Sequence, residues 1–426
     1  MFRQVEMKAI RARLDELLSA PYDPDFNLEK QSLNKKFQEL LTQEETIWSQ
    51  QSRALWLKAG DRNTTYFQRR ASNRRQRNTI KGLHNADGAA ICCHTISEKV
   101  TMDMNQELLA PYSDEEVRQA LFQMHPSKAP GPDGMSPFFF QKYWKVVGPD
   151  VCTAVRSFLY SGVLPEVINF THVTLIPKVK DPKDMTDLNP IALCNVLYRI
   201  CSKVLANRLK KILDSVISPL QSAFVPIRLI SDNTVATEVA HFLHSNRRVD
   251  EHFSLKLDIS KVYDRLEWSF VRNILVKLGF AMEWVELIMT TVTTVSYSFL
   301  VNGEVRGNVK PSRGIRQGDP LSPYIFILSA EGLSSAIQHF VTHQWIQGIN
   351  ITPDAPTLHH LLFADDSFLF GVATKEECQQ YSNILHTYEI ASGQRINLLK
   401  SSVAFSRHMD TGKQLHLAIT SWVFSE

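Results

Sequence analysis

The chain has 426 residues, 44% of them apolar and 21% charged, with 47 Lys+Arg against 44 Asp+Glu and a net charge of +3. That balance excludes a disordered tail, a collagen-like chain and a uniformly basic nucleic-acid coat, and the length suits one large domain or two to three smaller ones. No run reaches the roughly 18 apolar residues of a membrane span, and the start MFRQVEMKAIRARLDELL has no signal-peptide core. Six cysteines (Cys92, Cys93, Cys152, Cys194, Cys201, Cys378) contain no C-x-x-C pair and are too sparse for a disulfide scaffold. A soluble, unsecreted protein of the nucleus or cytoplasm is the expectation. His84, Cys92, Cys93 and His94 match no zinc spacing.

In chain order, residues 28–58 place Leu33, Phe37, Leu40, Leu41, Ile47, Trp48 and Leu55 at helical spacing. They run into residues 51–81, which hold nine Lys/Arg and only Asp61 as an acid, a charge of +8 that leaves −5 for the rest. Arg69, Arg70, Arg74, Arg75 and Arg77 follow Tyr66 and Phe67. Such a run is either a solvated helix face or a nucleic-acid contact that combines phosphate pairing with stacking.

Ser113 and Glu116 form the capping-box pattern of a helix start, with Val117, Ala120, Leu121 and Met124 as its apolar face. SKAPGPDGMSP (127–137) must be irregular. A helix is expected over 150–164, a strand over 171–177, and one helix over 191–216. Residues 253–259 alternate as a half-buried strand, followed by a helix over 267–279. Asn302-Gly303 between apolar runs predicts a hairpin over 297–309. A helix follows over 321–339, and residues 358–372 predict a second hairpin with Asp365 and Asp366 at its tip. Interleaved strands and helices give an α+β class.

Asp365-Asp366 carries most of the chemistry. Adjacent carboxylates repel, and beside a core they need compensation. A surface turn is one reading; a hard cation, Mg²⁺ or Mn²⁺, bound to both is the other. Asp258 ends an apolar strand and serves either as a helix N-cap or as a third carboxylate. If its strand pairs with the hairpin, the acids would hold two metals roughly 3.5–4 Å apart for in-line phosphoryl displacement. In PSRGIRQGDPLSPYIF (311–326), Gly318 would let a base or sugar come close, Gln317 would bond a nucleotide, and Arg313 or Arg316 a phosphate.

These segments together resemble reverse transcriptases. LIPK (175–178), NPIAL (189–193), LKLDISKVYD (255–264), GIRQGDPLSPYIF (314–326), LLFADDSFLF (361–370) and SGQRINLLKSS (392–402) occur in that family's order. SKAPGPDGM, LCNVLYRICSKVLANRLKK and WLKAGDRNTTYFQRRASNRRQRNTIKGL are most similar to plant LINE-type (non-LTR) retrotransposons. The resemblance covers about residues 28 to 406. It implies a right-hand polymerase: fingers, and a palm whose antiparallel sheet is backed by helices, preceded by a helical basic extension. The corresponding division is residues 1–100, a pre-finger region 101–157, and a reverse transcriptase domain 158–426.

By resemblance, Asp258, Asp365 and Asp366 are the palm carboxylates that hold two Mg²⁺ (or Mn²⁺). Tyr263 stacks under the sugar and selects dNTPs, or is simply a core tyrosine. Arg316, Gln317 and Gly318 line the nucleotide pocket, Lys178 contacts the triphosphate, and Lys400 protonates the leaving pyrophosphate. The partners implied are an RNA template, a DNA primer and dNTPs.

Departures from the family are also visible. Asn189 stands where the family has an arginine, and Asn supplies neither its charge nor its fork. Ile227 replaces a turn glycine before Arg228, a strained choice if φ is positive there. The stretch near residue 100 is shorter than in relatives, and no primer-gripping element or helical thumb is recognisable after Lys400. No endonuclease precedes the polymerase segments, and no RNase H or zinc region follows. The expectation is a degenerate copy, thumb mostly missing, with weak or lost activity. The alternatives are a catalytically idle RNA/DNA-binding remnant or a pseudogene product.

Overall fold

The computed structural model describes residues 95–418 apart from 227, 229–237, 240, 244–250, 352–355, 365 and 398–399, together with Lys36. The chain divides into units Met1–His84 and Asn85–Glu426, and apart from Lys36 the described residues belong to the second. The helix expected over 28–58, the arginines 69 to 77, the set His84, Cys92, Cys93 and His94, and also Ile227 and Asp365 lie outside the described residues.

Two helices open the described chain, α1 (Met102–Leu109) and α2 (Asp114–Phe122). The expected capping box is formed: Ser113 Oγ accepts the Glu116 N–H and Glu116 Oε2 accepts the Ser113 N–H. The Pro/Gly loop is irregular and ends at α3 (Pro137–Lys142). Next come α4 (Trp144–Ser161), closed by Gly162 at φ 69°, and the short α5 (Glu166–Asn169).

Strand β1 (Phe170–Pro177) pairs antiparallel with β2 (Leu188–Cys194), and α6 (Val196–Lys210) and α7 (Leu213–Val216) follow. The single helix expected over 191–216 is therefore a strand end and two helices. Strand β3 (His252–Asp258) leads through α8 (Val262–Arg265) to α9 (Trp268–Lys277) and α10 (Met282–Thr293). Strands β4 (Ser296–Val301) and β5 (Glu304–Val309) form the first expected hairpin, with Asn302 and Gly303 at φ 53° and 84°. The long α11 (Ser322–Thr342) precedes β6 (His360–Phe363) and β7 (Asp366–Val372), the second hairpin. Asp366 is the first residue of β7 rather than part of the tip, and Ala364, at φ 53°, follows the end of β6. The described chain closes with α12 (Lys375–Ser392), β8 (Ser402–Phe405) and α13 (Thr411–Leu417).

The strands make two four-stranded sheets. One has the order β2-β1-β4-β5, with β1 and β4 parallel and the outer pairs antiparallel. The other, β6-β7-β3-β8, is antiparallel throughout. The α+β class holds.

One apolar core runs from Ile96 to Leu417 and takes in α1, α2 and α4 as well as the sheets. Arg208 of α6 fixes that join. Its guanidinium, almost fully buried, donates to the carbonyls of Leu108, Ala110 and Pro111 and bidentately to Glu116, and it lies 3.8 Å from the Tyr112 ring centre. The free carbonyls at the end of α1 thus gain donors, and the buried charge gains a carboxylate. Glu331, buried in the middle of α11, is likewise met by Lys99 Nζ at 2.5 Å and by the Ser218 N–H at 3.0 Å. Among the described residues no helix is long and apolar enough to cross a membrane.

Candidate active site

Strand alternation builds the site. In β3, Phe253, Leu255 and Leu257 are buried, so Ser254, Lys256 and Asp258 share the opposite face. In β7, Ser367 and Leu369 are buried and Asp366 and Phe368 look the other way. The register sets Asp258 directly across from Asp366, and Lys256 across from Phe368. Directly opposed residues lie on one face with Cβ atoms about 5 Å apart. Two carboxylates therefore share one open face at the end of the sheet.

Lys256 Nζ lies 3.4 Å from Asp366 Oδ1 and 6.0 Å over the Phe368 ring. It neutralises part of the acid pair. Among the described residues no group of three His, Cys, Asp or Glu side chains gathers as a metal site. Asp258 and Asp366 supply two carboxylates, and Asp365 lies outside the described residues. Opposed carboxylates on one face are the donor chemistry that a hard divalent cation takes, so the pair fits Mg²⁺ or Mn²⁺.

The backbone around Asp258 is tied down on one side. Its N–H donates to Ser401 Oγ at 3.1 Å, and its carbonyl accepts the Asn397 N–H at 2.7 Å. Ile259 bridges Ile396, and the Ser260 N–H donates to the Arg395 carbonyl. Lys400, exposed, is thereby one residue from a direct partner of Asp258. On the other edge, residues 220–222 add to β6: the Leu362 N–H donates to the Leu220 carbonyl, and the Ser222 N–H to that of Leu362. Gln221, 1% exposed, reaches the hairpin loop with its side chain and accepts the Ala364 N–H.

The loop 311–321 docks against α8. The Ile315 N–H donates to the Tyr263 carbonyl at 2.7 Å, and Trp268 Nε1 to the Gly314 carbonyl at 2.8 Å. Gly314 sits at φ 88°, and a Cβ there would come within 2.9 Å of the carbonyls of Tyr263 and Asp264, so only glycine fits. Beyond it the Gln317 carbonyl accepts the Ala192 N–H of β2 at 3.1 Å. The loop thus spans from α8 to the other sheet. Gln317 is half-buried, and Gly318 is exposed at φ 100°, where a Cβ would come within 3.7 Å of the Ala192 carbonyl. Tyr263 is half-buried with its ring 6.0 Å from Phe326.

Arg316 departs from the expected phosphate contact. It is 3% exposed and turns into the protein. Nη1 donates to Thr171 Oγ1 and Cys194 Sγ, Nη2 to Asn169 Oδ1 and the Thr291 carbonyl, and the guanidinium lies 3.8 Å from the Tyr198 ring centre. Asp319, also 3% exposed, accepts the hydroxyls of Tyr198, Ser202 and Ser322. Both terminal nitrogens of Arg316 are spent on framework groups. Arg313, the other candidate, pairs with Glu267 at 3.1 Å. Lys178 is exposed at the end of β1 beside Asp187; its charge helps to hold that carboxyl below the usual range, after the N–H groups of Lys183 and Asp184. Asn189 lies half-buried in β2 opposite Ile176 of β1.

The structure thus brings Asp258 and Asp366 together, sets Lys400 next to Ser401, the partner of the Asp258 N–H, and hangs Gln317 and Gly318 on a loop fixed to α8 beside Tyr263. Lys256, Gln221 and Ser401 were not anticipated. Only the placement of Lys256 two residues before Asp258 in an alternating strand signalled a shared face.

Residues 176–416 match the family of reverse transcriptases (RNA-dependent DNA polymerases), more than half of the chain. The chain belongs to that family. It is 30% identical over 305 residues, 70% of its length, to the transposon TX1 uncharacterized 149 kDa protein of Xenopus laevis, covering 22% of that protein. Over 275 residues it is 27% identical to a retrovirus-related Pol polyprotein from a type-2 retrotransposable element of Drosophila melanogaster, covering 24% of it. A 69-residue stretch is 49% identical to an uncharacterized mitochondrial protein of Arabidopsis thaliana. The chain spans about a quarter of the length of the first two relatives.

Proposed function

We propose that this chain is the polymerase segment of a LINE-type (non-LTR) retrotransposon and catalyses RNA-directed DNA synthesis from dNTPs on a primer 3′-hydroxyl. The observation that carries this reading is the direct opposition of Asp258 and Asp366 across β3 and β7 in a chain of this family. The sheet β6-β7-β3-β8 would be the palm and β2-β1-β4-β5 part of the fingers. Residues 1–100 would be a helical basic extension, 101–157 a pre-finger region and 158–426 the reverse transcriptase domain.

Asp258, Asp365 and Asp366 would hold two Mg²⁺ or Mn²⁺ ions. Bound there, such ions would supply Lewis acidity, lowering the pKa of the primer hydroxyl and offsetting charge on the triphosphate. Lys256 would release Asp366 when the site fills. Tyr263 would lie under the incoming sugar, and Gln317 and Gly318 beside the base and sugar. Lys178 would meet the triphosphate. The primer 3′-oxygen forms a bond to the α-phosphorus as the bond to pyrophosphate breaks, and Lys400 would give the leaving oxygen its proton. Arg69, Arg70, Arg74, Arg75 and Arg77 would hold RNA phosphates. Arg316, bonded to Asn169 and Thr291, would fix the 311–321 loop in place.

Asn189 favours a second reading, a protein that binds RNA while the palm idles, because one missing charged contact at a triphosphate costs of the order of 3 kcal/mol in the transition state. Primer extension on poly(A) RNA with Mg²⁺ and dTTP separates the two. Extension by the wild type that vanishes in Asp365→Ala supports the polymerase. Extension only in Asn189→Arg locates a defect at the triphosphate, and silence in all variants beside intact RNA binding supports the idle palm.

A further inference from the structure

Helix α6 carries an unusual imbalance. Arg199 donates to the Ala129 carbonyl, Arg208 is consumed by α1 and Glu116, and Lys211, just past the helix, pairs with Glu107 at 3.3 Å. Lys203 and Lys210 have no carboxylate partner among the described residues. They are seven residues apart, hence on one face, and both are half-buried, Lys203 between buried Ser202 and Val204 and Lys210 between buried Leu209 and exposed Lys211. Lys210 Nζ stands 5.6 Å over the Tyr324 ring at the start of α11.

A third cation comes from the Pro/Gly loop. That loop is clipped to α6 at two points, Arg199 to the Ala129 carbonyl at 2.9 Å and the Asp133 N–H to Asn195 Oδ1 at 3.2 Å. Gly131 approaches Asn195 so closely that a Cβ would lie 2.4 Å from its backbone nitrogen. The clip holds exposed Lys128 near enough to Lys203 for the two charges to act on each other. Burial first, then the charges of Lys210 and Lys128, hold the Lys203 ammonium below the usual lysine range. Three unpaired like charges gathered on a built surface repel one another and cost stability unless an anion joins them.

We propose that Lys128, Lys203 and Lys210 form a binding track for the sugar-phosphate backbone of a single-stranded nucleic acid, the RNA template. The shape favours a strand over an isolated phosphate: Lys203 and Lys210 are separated by about 10 Å of helix axis, a spacing that suits successive charges along one backbone. The Gly131–Asn195 contact gives the glycine loop a task, to present Lys128 at a fixed place. The proposal rests on the polymerase reading for the identity of the strand, and its test does not require catalysis.

The test is equilibrium binding of a labelled single-stranded RNA to the full chain, by anisotropy, in EDTA without dNTPs, over a range of salt. The wild type is compared with the triple variant Lys128→Gln, Lys203→Gln, Lys210→Gln and with the corresponding triple arginine variant. The expected result is a salt slope shallower by roughly 0.7 per lysine removed and affinity lower by roughly tenfold or more near physiological salt, with the arginine variant close to wild type. Single Lys128→Gln, in the exposed loop, gives one third of the effect and covers the case of a triple variant that does not fold. An unchanged slope, no RNA binding by the wild type, or a raised dNTP KM with RNA affinity intact would overturn the track. Failure of primer extension with the slope change present would strike the polymerase reading alone.

Discussion

Gln221 and Ala364 are joined across the end of β6: Gln221 Oε1 accepts the half-buried Ala364 N–H at 3.3 Å and the buried Ala223 N–H at 3.0 Å. The residue that bends the hairpin is thus held by a side chain 143 positions earlier. Its own Nε2 has no partner. Replacement Gln221→Leu nearly keeps the volume and strands one buried and one half-buried N–H group, the buried one worth about 1–3 kcal/mol. Denaturant unfolding is expected to show a loss of about 2 kcal/mol or more, and primer extension to need more Mg²⁺ for half its rate. A loss below about 0.5 kcal/mol with an unaltered Mg²⁺ requirement would remove Gln221 from this role.

Opposed carboxylates repel when no cation lies between them, and like charges in that position destabilise a sheet by a few tenths to about 1 kcal/mol. Asp258→Asn should therefore leave the metal-free protein as stable as the wild type or slightly more so. Mg²⁺ should raise the melting temperature of the wild type and not that of Asp258→Asn. Equal Mg²⁺ shifts in both proteins, read by differential scanning fluorimetry, would place the cation elsewhere.

Arg316 and Arg313 lie three residues apart in one loop and should behave differently. Lysine at 316 cannot satisfy Asn169 and the Thr291 carbonyl while stacking on Tyr198, so Arg316→Lys should cost about 3 kcal/mol or more. Arg313→Lys, at a surface pair, should cost under about 1 kcal/mol. Thermal melts of the two variants decide it. Equal melts, with a raised dNTP KM only for Arg316→Lys, would restore the phosphate role expected from the sequence.

His359 and His360 touch through their Nδ1 atoms at 2.6 Å, and His360 Nε2 meets Ser334 Oγ at 2.9 Å with no solvent exposure. Burial, and for His360 also the neighbouring His359, holds both below the ordinary imidazole range. In the unfolded chain both titrate near about 6.5. Below that pH the unfolded state takes up more protons than the folded one, so stability falls as pH falls. Glu377 and Glu389, raised chiefly by burial, act in the opposite sense, losing stability as pH rises. The informative quantity is thus the difference between wild type and His360→Asn: the wild type should lose more stability between pH 7.5 and 5.5. Parallel melting curves would rule this out.

The hairpins, the capping box and the alternation of β3 were legible because each is set by neighbours within a few residues. Strand β2 was not. Pro190 reads as a break, yet β2 is an edge strand, where a missing N–H is tolerated. Asp258, Asp365 and Asp366 stood out as acids among apolar residues, whereas the opposition of the first and last is a property of the β3–β7 register. The turn of Arg316 into the protein depends on Asn169 and Thr291, 147 and 25 residues away, and no local pattern reports such partners. Gln221 was invisible for the same reason.

Arg208 has a practical corollary for anyone who would trim this protein. The family match begins at Ile176, and a cut there looks natural on a linear map. It would take away Leu108, Ala110, Pro111, Tyr112 and Glu116 together, leaving a guanidinium stranded beside the uncovered apolar side of α6. A piece that keeps the whole of this core starts before Ile96, some eighty residues upstream of where the family match begins.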